Sequence, residues 1–399
     1  MNIAPQSLEL HRKQFPALGN KTYFNYGGQG PLPQAALEAI QEAYAYIQRD
    51  GPFSEKVNYW VMDEEKRLEA VIAQELGVSP TTLTLTENVT IGCNIPLWGT
   101  MWEPGDHLLI SDCEHQGIIA TIQELQRRFG IEVSVCPLME TLNQGNPAEV
   151  VQKYLQPNTK MVVLSHVFWN TGQVLPLKEI VTVCRQAKTH KPVRILVDAA
   201  QSVGMLPLDL TDLEVDFYAF TGHKWWCGPE GVGGLYVRPE AIDGSDGGEP
   251  LHPTLIGWRG ILTNSVNQPT GWQSGATRYE VATSARPLYA GLRAAIAVHQ
   301  RLGTAEARYQ RILDLSAYLW EKLRKIPGIT CLSTSPPQSG LVSFQLANSQ
   351  HLQLVRWLEN RGFCLRTLLD PSCVRACVHY FTLESEIDEL AVNIAIFNQ

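Results

Sequence analysis

Val215-Asp216-Phe217-Tyr218-Ala219-Phe220-Thr221-Gly222-His223-Lys224 decides how this chain is read. The segment opens as an apolar run of strand length. Gly228-Pro229-Glu230-Gly231-Val232-Gly233-Gly234 follows as a breaker-rich turn. A lysine on a short turn at the mouth of a buried strand cannot wander far, and desolvation there lowers the pKa of its amine. On the tetrapeptide 221–224 alone, a surface lysine is the commoner explanation.

A second strand of the same kind shifts the balance. Arg194-Ile195-Leu196-Val197-Asp198-Ala199-Ala200-Gln201-Ser202 is apolar and ends in an aspartate. Such a carboxylate can cap a following helix. It can also pair with a pyridinium nitrogen, the partner that pyridoxal phosphate needs to act as an electron sink. Asp198 and Lys224 on adjacent parallel strands favour the second reading, with Lys224 as the amine that condenses with a carbonyl cofactor.

Outward from these two strands, strand patterns recur at 82–85, 107–111, 133–136, 161–165, 195–198, 217–221 and 233–237. Helical patterns at 117–129 and 177–188 lie between them. The alternation predicts an α/β domain with a largely parallel, doubly wound sheet of seven strands. Ligands of such sheets sit beyond the carboxyl ends of the strands. Ser111, Ser165, Asp198 and Thr221 all lie at such ends. Upstream, residues 1–20 read as a short arm, 23–31 as a strand and glycine turn, and 34–48 and 56–76 as amphipathic helices. The acidic glycine-rich stretch 243–249 is expected to be a mobile loop. After Ala282 the texture changes to long helical patterns at 286–301 and 306–325, then short alternating elements. The expected division is an arm at 1–20 packing with the small domain, a large domain at 21–283, and a small α+β domain at 284–399.

Composition narrows the function. The 399-residue chain has a net charge of -8 and no basic run, which argues against nucleic acid. Its nine cysteines are odd in number and form no Cys-x-x-Cys pair, so neither a disulfide framework nor a zinc ribbon is indicated. Reduced thiols in a cytoplasmic protein, with no metal site, are the expectation. Residues 1–18 include Glu9, His11, Arg12 and Lys13 and lack the apolar core of a signal peptide. No window has the apolar length of a membrane span.

Smaller patterns also point to chemistry. Thr86-Glu87-Asn88-Val89-Thr90-Ile91-Gly92 opens a helix after a strand, where backbone N–H groups can receive a phosphate or a cap can simply end the turn. His115, in Glu114-His115-Gln116, can stack on a planar ring or move protons. Trp272-Gln273-Ser274-Gly275-Ala276-Thr277-Arg278 is a second hydroxyl-rich turn. Arg366 and Arg375 flank a short Pro-containing loop, and a guanidinium fork binds carboxylates bidentately.

Taken together these motifs resemble the class V aminotransferase superfamily, the fold-type I pyridoxal-phosphate enzymes that include cysteine desulfurases. The resemblance covers nearly the whole chain. It is carried by 198–204, 221–224, 228–236 and Val374-Arg375-Ala376-Cys377-Val378-His379-Tyr380-Phe381 with Glu384, Glu386, Ile387 and Asp388. It implies a PLP-dependent transferase fold type I and pyridoxal 5'-phosphate bound to Lys224. Asp198 would face the pyridine nitrogen, Gln201 the phenolic oxygen, His115 one ring face and Ala200 the other. Val89, Thr90, Thr221 and His223 would hold the phosphate, with Thr277 from the other protomer of a homodimer. Arg375, helped by Arg366 and with Gly28 nearby, would take the carboxylate of an amino-acid substrate. Lys224, His115 and Asp198 would be the catalytic residues.

Departures from the family set the subfamily. Desulfurases carry a nucleophilic cysteine on a mobile loop. Here Thr367-Leu368-Leu369-Asp370-Pro371-Ser372-Cys373-Val374 is short and its cysteine lies just before Arg375. Trp169 stands where desulfurases usually have asparagine, with Asn170 one residue later. The pattern looks more like the cyst(e)ine C-S lyases. It implies β-elimination of cystine or cysteine to pyruvate, ammonia and cysteine persulfide or sulfide. The persulfide could supply a sulfur acceptor or an iron–sulfur apoprotein. The rival readings are a desulfurase using Cys373 and forming alanine, an epimerase or aminotransferase, and an inactive relative that only binds.

Overall fold

The computed structural model describes residues 5–398. Its centre is a sheet of β1 (Leu83–Thr86), β2 (His107–Ser111), β3 (Glu132–Cys136), β4 (Thr159–Ser165), β5 (Arg194–Asp198), β6 (Phe217–Thr221) and β7 (Gly233–Val237). They lie in the order β1-β7-β6-β5-β4-β2-β3. Neighbours pair in parallel except for β7, which runs antiparallel to both β6 and β1.

The apolar runs are continuous because both sheet faces are covered. On β5, Ile195 and Val197 enter one core while Leu196 enters the other. On β6, Tyr218 and Phe220 join the first, and Phe217 and Ala219 the second. Edge strand β3 is partly exposed and correspondingly polar.

Register brings the chemistry to one end of the sheet. Ser165 pairs with Asp198, and Asp198 with Ala219, two residues before the end of β6. Helix Val89–Gly99 packs on this sheet by its Gly92. A Cβ added there would sit 3.0 Å from the Ala219 Cβ and 3.1 Å from the Gly234 oxygen.

Beyond helix Pro287–Gln300, a second sheet orders strands Ile329–Cys331, Leu341–Leu346, Ser372–Cys377 and Arg366–Leu369, all antiparallel. Helices Ala305–Leu323, His351–Glu359 and Glu384–Phe397 contribute to its core. Helix Pro5–Arg12 reaches this region. Arg12 donates to the Phe381 oxygen at 2.6 Å and to both Glu386 oxygens at 2.6 and 3.0 Å.

Two expectations change. The first strand covers Leu83–Thr86 rather than 82–85, because Thr82 closes a 3-10 turn by donating to the Ser79 oxygen at 2.7 Å. Stretch 243–249 is tied down rather than mobile. Asp246 accepts from Arg194 at 2.6 Å and Arg238 at 2.5 Å, and Glu249 pairs with Lys160 at 3.2 Å and with Lys191. All nine cysteines are free, and all but Cys331 and Cys364 are buried. Among the described residues, no helix is long and apolar enough to cross a membrane.

Candidate active site

Asp198 ends β5 with 6% of its surface exposed. One oxygen accepts from the Ala200 N–H at 3.0 Å, and no protein donor reaches the other among the described residues. Burial pushes its carboxyl up, while Lys224 and His115 pull it back. Lys224 has no ion-pair partner within 4.0 Å among the described residues. Burial lowers its pKa to about 8 against the opposing pull of Asp198, and Arg375 and Arg366 push it further down. The result is a confined amine that loses its proton near neutrality, as a nucleophile or base requires.

The turn carrying Lys224 is built by close approach. Gly30 donates to the His223 oxygen at 2.8 Å, and a Cβ on Gly30 would lie 2.2 Å from the Lys224 oxygen. Only glycine fits there. Gln201 donates one amide hydrogen to the Gly27 oxygen at 2.8 Å and accepts from the Trp225 indole at 2.9 Å. Its second amide hydrogen stays available.

His115 caps helix Gln116–Phe129, its Nδ1 accepting from the Gly117 N–H at 3.2 Å. The neutral ring therefore carries its hydrogen on Nε2. Burial lowers its pKa. Thr90, in the first turn of its helix beside Val89, is a near neighbour. A Cβ on Gly117 would lie 3.4 Å from His115 and 3.8 Å from the Thr90 methyl. Thr221 and His223 bond to each other at 2.7 Å, and burial lowers His223 to about 4. Ala200 sits one residue past Ala199 on the turn leaving β5.

Arg366 and Arg375 face each other in register on adjacent strands. Arg375 is 2% exposed, donates to the Trp169 oxygen at 2.6 Å, and leaves its Nε without a partner. No carboxylate pairs with it among the described residues. A buried guanidinium without an anion is costly, and a ligand carboxylate satisfies it. Gly27 admits this group, since a Cβ there would be 3.0 Å from the guanidinium carbon. Gly28 follows on the same turn, folded against Asn25.

The site thus gathers Lys224, Asp198, His115, Thr90, Thr221, His223, Gln201, Gly28, Arg366 and Arg375 at one end of the sheet. Thr277 is set apart on the 3-10 turn Gly275–Tyr279, which packs against edge strand β1.

Two residues went unassigned in the sequence reading. Buried Glu114 accepts from the Ser111 hydroxyl at 2.5 Å, the Ser165 N–H at 2.9 Å and the Ser165 hydroxyl at 2.7 Å. It ties the ends of β2 and β4 together directly beside His115, and burial pushes it up to about 8. In the sequence it is one of two acids, with Asp112, just past an apolar strand, and nothing there marks it as buried. Trp169 sets its ring edge-on to His115, 5.8 Å between centroids, with its indole nitrogen buried and unpartnered. Cys373, by contrast, is 0% exposed, and burial pushes its thiol up to about 11.

The model of the family Aminotransferase class-V matches residues 22–390. A structure of the cystine C-S lyase C-DES with its reaction product cysteine persulfide is 51% identical. It superposes with a TM-score of 0.93 and covers 96% of this chain and 99% of that one. A mutant of the same protein, with glycine covalently linked to the PLP cofactor, is also 51% identical at a TM-score of 0.93, covering 96% and 98%. Isopenicillin N epimerase of Streptomyces clavuligerus is 28% identical over 92% of each chain. A cysteine desulfurase of Cronobacter sakazakii (strain ATCC BAA-894) is 27% identical over 97% of each. With the matched model spanning the sheet, the Lys224 turn and both arginines, this chain belongs to the class-V aminotransferase family.

Proposed function

We propose that this protein is a pyridoxal-phosphate-dependent carbon–sulfur lyase. It β-eliminates cystine, and less readily cysteine, to pyruvate, ammonia and cysteine persulfide or sulfide. The observation that carries the reading is the unpaired Lys224 amine, lowered to about 8, set between the Asp198 carboxylate and the Arg366–Arg375 pair. The donor set fits the cofactor. Asp198 has a free oxygen for a ring N–H, Gln201 a free amide hydrogen, and Thr221 and the helix turn at Val89 and Thr90 offer donors to a phosphate. Lys224 would carry the aldehyde, His115 and Ala200 would flank the ring, His223 would join the phosphate group, and Thr277 would come from a second copy of the chain.

Pyridoxal phosphate, when bound, supplies a sink for the electrons left when the substrate's Cα proton is removed. Arg375, aided by Arg366 and with Gly28 on the neighbouring turn, would bind and orient the substrate carboxylate. Lys224, with its amine free, would hold a neutral nitrogen near Cα and take its proton. The Cβ–S bond then breaks with its electron pair going to sulfur, and the Nε2–H of His115 would hydrogen-bond to the departing sulfur anion, which takes its proton from solvent. A persulfide is the more acidic leaving group, so cystine is favoured over cysteine. Water converts the remaining aminoacrylate to pyruvate and ammonia.

A desulfurase needs an accessible thiolate, and Cys373 is buried and hard to ionise. The likeness to the C-DES structures at 51% identity supports the same choice. We further infer a homodimer, because exposed Leu255, Ile256 and Trp258 form an apolar stretch that water does not favour. The same reading divides the chain into arm 1–20, large domain 21–283 and small domain 284–399, places it in the cytoplasm, and makes a sulfur acceptor or iron–sulfur apoprotein the destination of the product.

The test is product analysis with cystine and cysteine side by side. Pyruvate and persulfide are expected, lost in Lys224→Ala together with the cofactor absorbance band, and retained in Cys373→Ser. Alanine as main product, abolished by Cys373→Ser, would make the enzyme a desulfurase.

A further inference from the structure

The backbone around Lys224 is held carbonyl by carbonyl, three of the four carbonyls from distant parts of the chain. Gly30 donates to the His223 oxygen at 2.8 Å, and Cys227 donates to the Lys224 oxygen at 3.0 Å. The next two carbonyls are taken by imidazoles. His379 Nε2 donates to the Trp225 oxygen at 2.9 Å, and His299 Nε2 to the Trp226 oxygen at 2.8 Å.

Carbonyls only accept, so both histidines carry their hydrogen on Nε2 and accept at Nδ1. Each Nδ1 finds its donor. The Tyr380 N–H reaches His379 at 3.0 Å, and the Tyr380 hydroxyl reaches His299 at 2.7 Å. That hydroxyl, having given its hydrogen, accepts from His11 Nε2 at 2.9 Å. Donation therefore runs one way from the N-terminal helix through Tyr380 and His299 to the peptide two residues past Lys224. Every member is buried. Burial keeps the rings neutral, with His11 lowered to about 4 and His379 to about 3. The rings of His299 and His379 stack at 5.5 Å.

Apolar side chains would fill this space without needing partners. A buried polar network persists at no loss only when every member is satisfied, and it then fixes one geometry. None of these groups is among the residues proposed to touch cofactor or substrate. What they grip is the peptide from which the Lys224 side chain springs.

We infer that His299 and His379, polarised by Tyr380 and His11, are positioning residues that aim the Lys224 amine. The inference rests on the role proposed for Lys224 above. A misplacement of about 1 Å in a reacting group costs about 100-fold in rate.

The test uses the cofactor-loaded enzyme and three readouts: kcat and KM for cystine, visible circular dichroism of the bound cofactor, and the rate at which borohydride fixes the cofactor on Lys224. His299→Leu and His379→Leu remove the donor. They are expected to lower kcat about 10- to 100-fold with KM nearly unchanged, to weaken the visible dichroism and to slow fixation. His299→Gln and His379→Gln return a donor near the Nε2 position and are expected to recover most of the loss. Tyr380→Phe deletes one hydroxyl and is expected to lower kcat several-fold without moving KM, which keeps a readout even where a leucine variant does not fold. Folded leucine variants, or Tyr380→Phe, with wild-type kcat and dichroism overturn the inference, as do glutamine variants no better than leucine. A wild-type enzyme with no cofactor on Lys224 overturns both this inference and the functional reading. A wild type that bears it, beside unaffected variants, overturns this one alone.

Discussion

Lys224 and Asp198 shift each other's titration in opposite senses, and the arginine pair pushes the lysine further down. In cofactor-free protein, an amine-specific reagent attacks only neutral Lys224. Its labelling rate should climb as pH rises through about 8 rather than near the ordinary 10.5. Asp198→Asn removes the group that raises the lysine, so the midpoint should fall. Arg375→Met removes one that lowers it, so the midpoint should rise. Between those two pH values the unfolded chain binds more protons at this residue than the folded one, so cofactor-free protein should also gain stability as pH rises across that window. Peptide-resolved labelling and denaturant midpoints measure both. The two residues were legible in the sequence because each ends an apolar run. Glu114, Trp169, His11, His299 and His379 were not, because a side chain becomes a partner only when the fold brings such scattered residues to one place.

Helix Val89–Gly99 presents its first turn to the site only as long as its Gly92 lies flat on β6 and β7. Gly92→Val pushes branched carbons into the Ala219 Cβ and the Gly234 oxygen, at 3.0 and 3.1 Å from the first added atom. Such overpacking costs about 1–3 kcal/mol. The displaced turn should also loosen cofactor binding, so the urea midpoint and the cofactor Kd should both worsen. At this scale the sequence was informative. All seven central strands stood out, and for the inner ones the reason is that a strand buried on both faces must be largely apolar. The error at 243–249 has a plain origin. Acidic and glycine residues suggest solvation, but their cationic partners Lys160, Lys191, Arg194 and Arg238 come from other segments, and the pairing emerges only when the sheet assembles.

The whole molecule leaves Leu255, Ile256 and Trp258 uncovered, 57%, 62% and 61% exposed, while Thr277 stands apart from the Lys224 cluster. If a second copy covers the first and supplies the second, Trp258→Glu should convert a dimer into a monomer by analytical ultracentrifugation and weaken cofactor retention at the same time. A monomeric wild type with full cofactor content would refute that pairing. The cysteines have a consequence of their own. A catalyst that liberates sulfane sulfur endangers any thiol its product can touch. Here all nine thiols are free, yet only Cys331 and Cys364 lie near the surface. The protein is thereby spared from scavenging the atom it sets loose. After turnover, sulfur adducts found by mass spectrometry should be confined to those two positions, with the rest of the mobilised sulfur passing to whatever external acceptor meets it.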